Sequence, residues 1–342
     1  MATLSFKRSA AFATTALVVA LASTPAAATT SYSKVVSFGD SLSDTGNFLQ
    51  VTTILSGLGI PGFPIPLPQA GDYYNGRFSN GRVAVEVLAD GLKGTLNDGQ
   101  SLFLENYAYG GAQTGQSGNL PNTGMLAQLD SYAKSLAPGV GADGNALYFV
   151  WGGGNDLRSI ADNPGQAQQI IGGALNNLGT IVTTLYGMGA RNFLVPNLPD
   201  LGLTPEGLSG GAVGSFLATA ASEAFNTNLS NLVLAPLSGL PGIHLMTLDA
   251  MAAQRAIIAS PATYGLSNVT QGCFTGYVGV PGTQCATPNQ YFYWDKVHPT
   301  ASVHEILGSQ MLAAAVPEPA TLLMMGAGVL ALLSLSRRRR QG

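Results

Sequence analysis

Nucleophilic attack by a hydroxyl needs a base to take its proton and a group to orient that base, and this chain has only three histidines. His244 precedes an expected strand and His304 falls within an expected helix, so both read as structural. His298 lies in Tyr293-Trp294-Asp295-Lys296-Val297-His298-Pro299-Thr300, a loop ahead of the last expected helix, with Asp295 three residues earlier. From one loop such a pair can serve a single hydroxyl, the carboxylate fixing the tautomer and orientation of the imidazole. An Asp–His capping pair has the same spacing. The matching hydroxyl is Ser41, in Val35-Val36-Ser37-Phe38-Gly39-Asp40-Ser41-Leu42-Ser43-Asp44-Thr45-Gly46-Asn47. An apolar run, a glycine and a polar turn make the layout of a strand-to-helix turn. A serine there holds its hydroxyl above the sheet and aims its own N–H at a bound anion. It is not a G-x-S-x-G elbow, and an N-capping Ser or Asp is the plainer alternative.

Such groups meet only if a common frame carries them. The β-branched run at 34–38 reads as a first strand, and a first helix is expected over 41–50. Residues 51–79 are irregular and apolar, with Ile54, Leu55, Leu58, Ile60, Phe63, Ile65 and Leu67 among Gly and Pro. They suit an acyl-binding groove or a loop folded over the core. Asn80 is placed to N-cap a helix running to about 92, with Val83, Val87 and Leu88 on its apolar face. Further strands are expected at 102–107, 146–151, 192–195 and 243–247. Helices are expected at 125–136, 165–188, 215–234, 251–260 and 301–314, and a loop at 261–290. Strands alternating with helices predict one α/β domain in three layers, a parallel five-stranded sheet flanked by helices. Sites in such folds lie at the carboxyl ends of the strands. Three turns bearing Gly or Asn fall there, after the first, second and third strands.

Hydrophobic residues make up 46% of the 342 and charged residues only 10%. With no repeats and no long polar tracts, that composition excludes a solenoid or a disordered scaffold. Both ends read as targeting segments. Lys7 and Arg8 precede an apolar run at 11–22, and Ala26-Ala27-Ala28 offers a cleavage site, so 1–28 reads as a secretory signal peptide. At the far end Val316-Pro317-Glu318-Pro319 leads into an apolar stretch at 320–336 and then Arg337 to Arg340. That stretch is at the lower limit for a transmembrane helix, with the arginines on the cytoplasmic side. The order of parts over 316–342 resembles the PEP-CTERM sorting signal of Gram-negative bacteria. That resemblance implies a transient anchor in the inner membrane, handled by signal peptidase and an exosortase-type enzyme, and a destination at the cell surface or outside. Without residues 1–28 and 317–342, 9 basic and 17 acidic side chains remain. That acidic balance disfavours nucleic acid as a partner. Cys273 and Cys285 share a Gly/Pro-rich loop of an exported chain and are expected to form a disulfide, two thiols being too few for zinc.

Taken together, the segments resemble the GDSL, or SGNH, family of esterases and lipases. Gly39 to Asn47 is similar to the family's first block, with Ser41 as nucleophile. Asn106-Tyr107-Ala108-Tyr109-Gly110-Gly111-Ala112-Gln113-Thr114 resembles the second, whose glycine N–H receives the oxyanion; Gly111 is the closer match and Gly110 the alternative. Gly153-Gly154-Asn155-Asp156 resembles the third, with the Asn155 amide as another donor, and Asp295 and His298 match the last. Phe78-Ser79-Asn80-Gly81-Arg82 and Val195-Pro196-Asn197-Leu198-Pro199-Asp200 are also similar to segments of this family. The resemblance spans 34 to 312 and implies an SGNH-hydrolase, flavodoxin-like topology over a domain at 29–315.

It also implies an exported serine ester hydrolase acting on small-molecule or lipid acyl esters. Ser41, Asp295 and His298 would be catalytic, and Ser41, Gly111 and Asn155 would form the oxyanion hole. Asp40, Asp44 and Asp156 read as turn-forming and supporting groups. No motif calls for a metal or an organic cofactor. Two alternatives stand beside it: a deacetylase of exported polysaccharide, suggested by the sorting tail, and a non-catalytic surface-binding protein on the same fold.

Overall fold

Along the central strands successive side chains point to opposite sides, and both sides are buried. The computed structural model describes residues 32–93 and 103–316, which belong to one compact unit, Thr29–Pro317. In β1 (Lys34–Gly39), Val36 and Phe38 join one apolar cluster and Val35 another. In β3 (Leu147–Trp151), Tyr148 and Val150 face the first cluster while Leu147, Phe149 and Trp151 face the second. A strand buried on both faces gains nothing from a polar alternation, which is why β3 is apolar throughout. With β2 (Phe103–Asn106), β4 (Asn192–Leu194) and β5 (His244–Met246), these strands make a five-stranded parallel sheet in the order β2-β1-β3-β4-β5. Val35 pairs with Leu147 and Gly39 with Trp151.

The helices cover both faces. The first cluster takes Met125, Leu129 and Tyr132 from α3 (Met125–Ser135), Leu178 and Leu185 from α5 (Ala167–Met188), and Phe225 from α7 (Gly211–Asn228). The second takes Leu88 and Leu92 from α2 (Ala84–Lys93), Ile257 from α9 (Ala250–Ala259), and Val303, Leu307 and Met311 from α10 (Ala301–Ala315). Each such side chain contributes roughly 1.5–3 kcal/mol on burial. The chain leaves β1 for β2 on one side and then returns past β1 to β3. The loops after β1 and β3 therefore diverge, opening a crevice at the carboxyl ends of these two neighbours. Ser41 follows β1, and α4 (Gly154–Arg158) with Asn155 follows β3.

Several boundaries differ from the sequence expectation, each for a packing reason. α1 (Asn47–Gly57) starts later than 41 because Ser43 and Asp44 donate their N–H groups to the Asp40 carbonyl and keep 40–46 in a turn. It then continues through residues expected to be irregular. Asn80 does not cap α2; its Oδ1 accepts the Ala301 N–H at 2.8 Å, at the start of α10. Before α2, the Val83 N–H donates to Glu86 Oε2 at 2.9 Å. The helix expected over 215–234 is preceded by α6 (Pro205–Ser209) and passes from α7 through a π-helical stretch, Leu229–Leu234, into α8 (Ala235–Leu237). The expected loop 261–290 contains β6 (Asn268–Gly272), which pairs in parallel with β7 (Tyr291–Tyr293). This second sheet leads straight into the Asp295 loop.

The expected membrane anchor needs correction, and with it the transient inner-membrane localisation. Among the described residues no helix is long and apolar enough to cross a membrane. α5 has the length, 22 residues, but it exposes Gln169, Asn176, Thr180 and Thr183 opposite its buried face. The stretch 320–336 lies outside the described residues, as does the signal peptide at 1–28.

His304 is fully buried, and its Nδ1 accepts the Ala84 N–H at 3.2 Å. Burial, with the nearby His298, depresses its pKa from 6.5 to about 3. The unfolded chain protonates this residue near its ordinary pKa while the folded chain resists, so its contribution is present above that point and is lost on acidification. Replacing it with a side chain that stays neutral should flatten the dependence: His304→Gln should reduce the fall in urea-unfolding stability between neutral pH and about pH 4 by about 3 kcal/mol.

Candidate active site

β1 ends at Gly39, which is held by a side chain as if by another strand. Its N–H donates to Gln128 Oε1 at 2.9 Å, and Gln128 Nε2 donates back to its carbonyl at 2.8 Å. A Cβ at Gly39 would lie 2.6 Å from the Trp151 carbonyl oxygen, so only glycine lets the strand end this close to β3. The turn that follows carries Ser41, whose Oγ is 2.8 Å from His298 Nε2. On the other side of the ring, Nδ1 is 2.8 Å from Asp295 Oδ2.

Asp295 is fully buried, and all its acceptor capacity is used locally. Oδ1 accepts the backbone N–H groups of Val297 and His298 at 2.9 and 2.8 Å, and Oδ2 also accepts the Tyr73 hydroxyl at 2.6 Å. Burial pushes this carboxyl up, but the field of His298 and these hydrogen bonds outweigh it and hold the carboxyl below its ordinary value. An ionised Asp295 requires the proton on Nδ1, which leaves Nε2 as acceptor for the Ser41 hydroxyl. The Trp294 N–H donates to the His298 carbonyl at 2.7 Å and closes the loop on itself.

Buried carboxylates clip the second glycine turn to the first and the third to the second. Asp44 accepts four N–H groups: Gly46 and Asn47, both at 2.7 Å, on Oδ1, and Phe48 at 3.1 Å and Gly110 at 2.7 Å on Oδ2. The Gly110 N–H is thereby occupied. The Gly111 N–H has no acceptor among the described residues. Gly111 sits at φ 72°, and a Cβ there would lie 2.2 Å from the Asn119 amide nitrogen, so the position admits only glycine. Asn155 donates from Nδ2 to the Ala112 carbonyl at 2.9 Å, while its Oδ1 accepts from Arg158 at 3.4 Å. These contacts turn the amide nitrogen toward the Gly111-Ala112 turn. Asp156 accepts both the N–H and the hydroxyl of Thr114, at 3.0 and 2.8 Å. Burial pushes the Asp40 and Asp44 carboxyls up to about 6 against the pull of their N–H donors, and raises Asp156 as well.

Ser41, Asn155 and His298 open on one cavity walled by apolar groups such as Leu42, Trp151, Leu198, Leu201 and Leu307. Gly111 does not line it. Tyr277 lies parallel to the His298 ring, centroids 6.0 Å apart, with Lys296 Nζ 4.2 Å from its ring centre. Cys273 and Cys285 are disulfide-bonded and close the loop that carries Tyr277. Gln69 grips the loop, donating to the Tyr277 carbonyl and accepting from the Gly279 N–H, both at 2.9 Å. The apolar segment at 51–79 is divided in use. Val51, Leu55, Phe63 and Leu67 pack against Phe48, Phe78 and Leu120, while Ile54, Leu58, Ile60 and Ile65 stay exposed.

The structure brings Ser41, His298 and Asp295 into contact, as their local patterns suggested, and adds partners that those patterns did not suggest. Tyr73 meets Asp295 across 222 residues, and no periodicity carries such a pairing. The one hint was the familiar segment at 78–82, just beyond it.

Similarity to known proteins extends over most of the chain. The pattern of the GDSL-like Lipase/Acylhydrolase family matches residues 35–311, and the PEP-CTERM protein-sorting motif matches 315–340. A GDSL esterase/lipase of Arabidopsis thaliana is 27% identical over 81% of this chain and 88% of its own. The esterase EstA of Pseudomonas aeruginosa is 32% identical over 87% of this chain but 48% of its own. A phosphatidylcholine-sterol acyltransferase of Aeromonas hydrophila is 29% identical over 84% and 79%. Among solved structures, an acetylxylan esterase from Geobacillus stearothermophilus has a TM-score of 0.45 at 14% identity, covering 85% of this chain and 97% of that one.

Because an amide offers one acceptor oxygen where Asp44 offers two, Asp44→Asn should orphan N–H groups of the α1 start or of Gly110. Urea unfolding should register a loss of about 2–4 kcal/mol. Ester turnover should also drop by about tenfold or more as the Gly110-Gly111 turn loosens.

Proposed function

Since this chain belongs to the GDSL-like lipase/acylhydrolase family and is a carboxylic ester hydrolase, we propose that Ser41, His298 and Asp295 carry its reaction. The Ser41 oxygen attacks the ester carbonyl while its proton passes to His298 Nε2. The charge that develops on the carbonyl oxygen is received by the Ser41 and Gly111 N–H groups and the Asn155 amide. His298 then returns the proton to the departing alcohol, leaving an acyl group on Ser41. A water molecule, deprotonated by His298 in turn, attacks the acyl carbon; the bond to Ser41 Oγ breaks as His298 returns the proton to that oxygen, and the acid leaves. Asp295 stays ionised throughout and holds the imidazolium.

The observation that carries this reading is the unbroken chain from Ser41 Oγ through His298 to Asp295, with both contacts at 2.8 Å. For the oxyanion donors the support is the occupancy of the turn: the Gly110 N–H is taken by Asp44, which leaves Gly111. The apolar cavity walls favour an acyl chain as the group bound beside Ser41. A second substrate reading, deacetylation of exported polysaccharide, is favoured by the sorting motif at 315–340. Transfer of the acyl group to an acceptor other than water would use the same steps, and the Aeromonas relative is named for such a transfer.

Turnover of p-nitrophenyl esters from acetate to palmitate, by the protein purified with its disulfide intact, tests the assignment. Ser41→Ala and His298→Ala should abolish it, and Asn155→Ala should lower kcat by roughly 10²–10³. Full activity in Ser41→Ala would refute the nucleophile. Preference for acetylated sugars over every p-nitrophenyl acyl ester would move the substrate to polysaccharide.

A further inference from the structure

The segment at 73–81 follows the acid–base loop residue by residue. The Tyr73 hydroxyl donates to Asp295 Oδ2 at 2.6 Å. The Phe78 ring lies 5.3 Å from the His298 ring. The Ser79 hydroxyl donates to the Pro299 carbonyl at 2.9 Å, and Asn80 Oδ1 accepts the Ala301 N–H at 2.8 Å. Gly81 permits the closest approach, since a Cβ there would lie 2.6 Å from that of Ala301. Contacts therefore run in the same order along both segments, from Asp295 to the first residue of α10. The strap is itself anchored at Phe78, which fills the space that a Cβ on Gly110 would need, beside the turn that Asp44 clips.

We propose that residues 73–81 form a strap that sets the acid–base loop, and that Tyr73 is a positioning residue which tunes the reaction through Asp295. This rests on the reading of Asp295 and His298 given above. Oδ2 receives two donors at once, the His298 Nδ1–H and the Tyr73 O–H. The phenol fixes the plane of the carboxylate, and by sharing its charge lowers the basicity that His298 meets. Tyr73 is well suited to remain a donor, since burial and the adjacent Asp295 charge raise its phenol far above the ordinary value. The other ionisable groups facing the pair are Asp40 beside Ser41, His304 at the start of α10, and Tyr277 on the imidazole, with Arg158, Lys296 and Glu206 behind it. Among the described residues none of them bonds Asp295 Oδ2.

Removing the hydroxyl makes Oδ2 more basic, so it holds the imidazolium more strongly and the base stays protonated to a higher pH. In Tyr73→Phe the acid limb of the kcat/KM profile should move up by about half a pH unit or more, with kcat/KM on that limb falling roughly three- to tenfold. KM should change little. Combined with Asp295→Asn, the same substitution should add almost nothing, because the acceptor it works through is gone. In the intact protein, the ¹³Cζ resonance of Tyr73 should move with the midpoint of that acid limb, a readout that does not depend on any variant folding. An unshifted acid limb in a folded Tyr73→Phe, full additivity with Asp295→Asn, or a flat Tyr73 resonance would each overturn the role. Should Ser41→Ala keep its turnover, the catalytic reading fails first and the role of Tyr73 falls with it.

Discussion

A carboxylate removed from water must have its lone pairs occupied or give up its charge, and much of this site follows from meeting that condition at Asp295. Two of its partners are N–H groups of its own loop, which forces the loop to fold back on itself. The third is the imidazole it orients, and the fourth is a phenol from a distant segment. The β6–β7 pair delivers Asp295 at the end of a strand, and α10 begins immediately after the loop. Remove the buried charge and nothing obliges these parts to meet.

The same device recurs at the other carboxyl ends of the sheet. Asp44 after β1 binds the second glycine turn to the first, and Asp156 after β3 binds the third turn to Thr114. Asp200 after β4 accepts the Gly202 N–H and the Thr219 hydroxyl while pairing with Arg255. In a chain only 10% charged, these few acids sit inside and join loops rather than decorate the surface. Losing one partner from such a buried set costs more than a surface ion pair ever contributes. The loops that carry the chemistry are therefore as well determined as the strands that present them.

Around this rigid centre the walls differ in character. The cavity beside Ser41 is largely apolar, whereas the groups around Tyr277, which lies along the His298 ring, are charged: Lys296 sits over the Tyr277 ring, and Glu206 pairs with both Lys296 and Arg158. The disulfide loop and the apolar segment before Tyr73 meet through Gln69 and Val278. These are the parts of the chain peripheral to the family's blocks.

By itself the sequence determined the class of fold and which short segments could bring reactive side chains together. Runs such as 146–151 are apolar on both faces and alternate with helical spacings, which suffices for a parallel sheet between two helical layers. Ser41, Asn155, Asp295 and His298 could be named because each lies in a short local pattern. What only the tertiary structure decided is which donors are free and which are taken. Gly110 and Gly111 are indistinguishable as letters; they differ because Asp44, 66 residues earlier, occupies one N–H. Asn80 looked like the cap of the helix that follows it, yet it caps α10, 221 residues on. Tyr73 carried no signal of its own, only the familiar segment at 78–82 beyond it. Hydrogen-bond occupancy depends on which groups packing brings within 3 Å, and a one-dimensional pattern records spacing along the chain, not proximity across the fold.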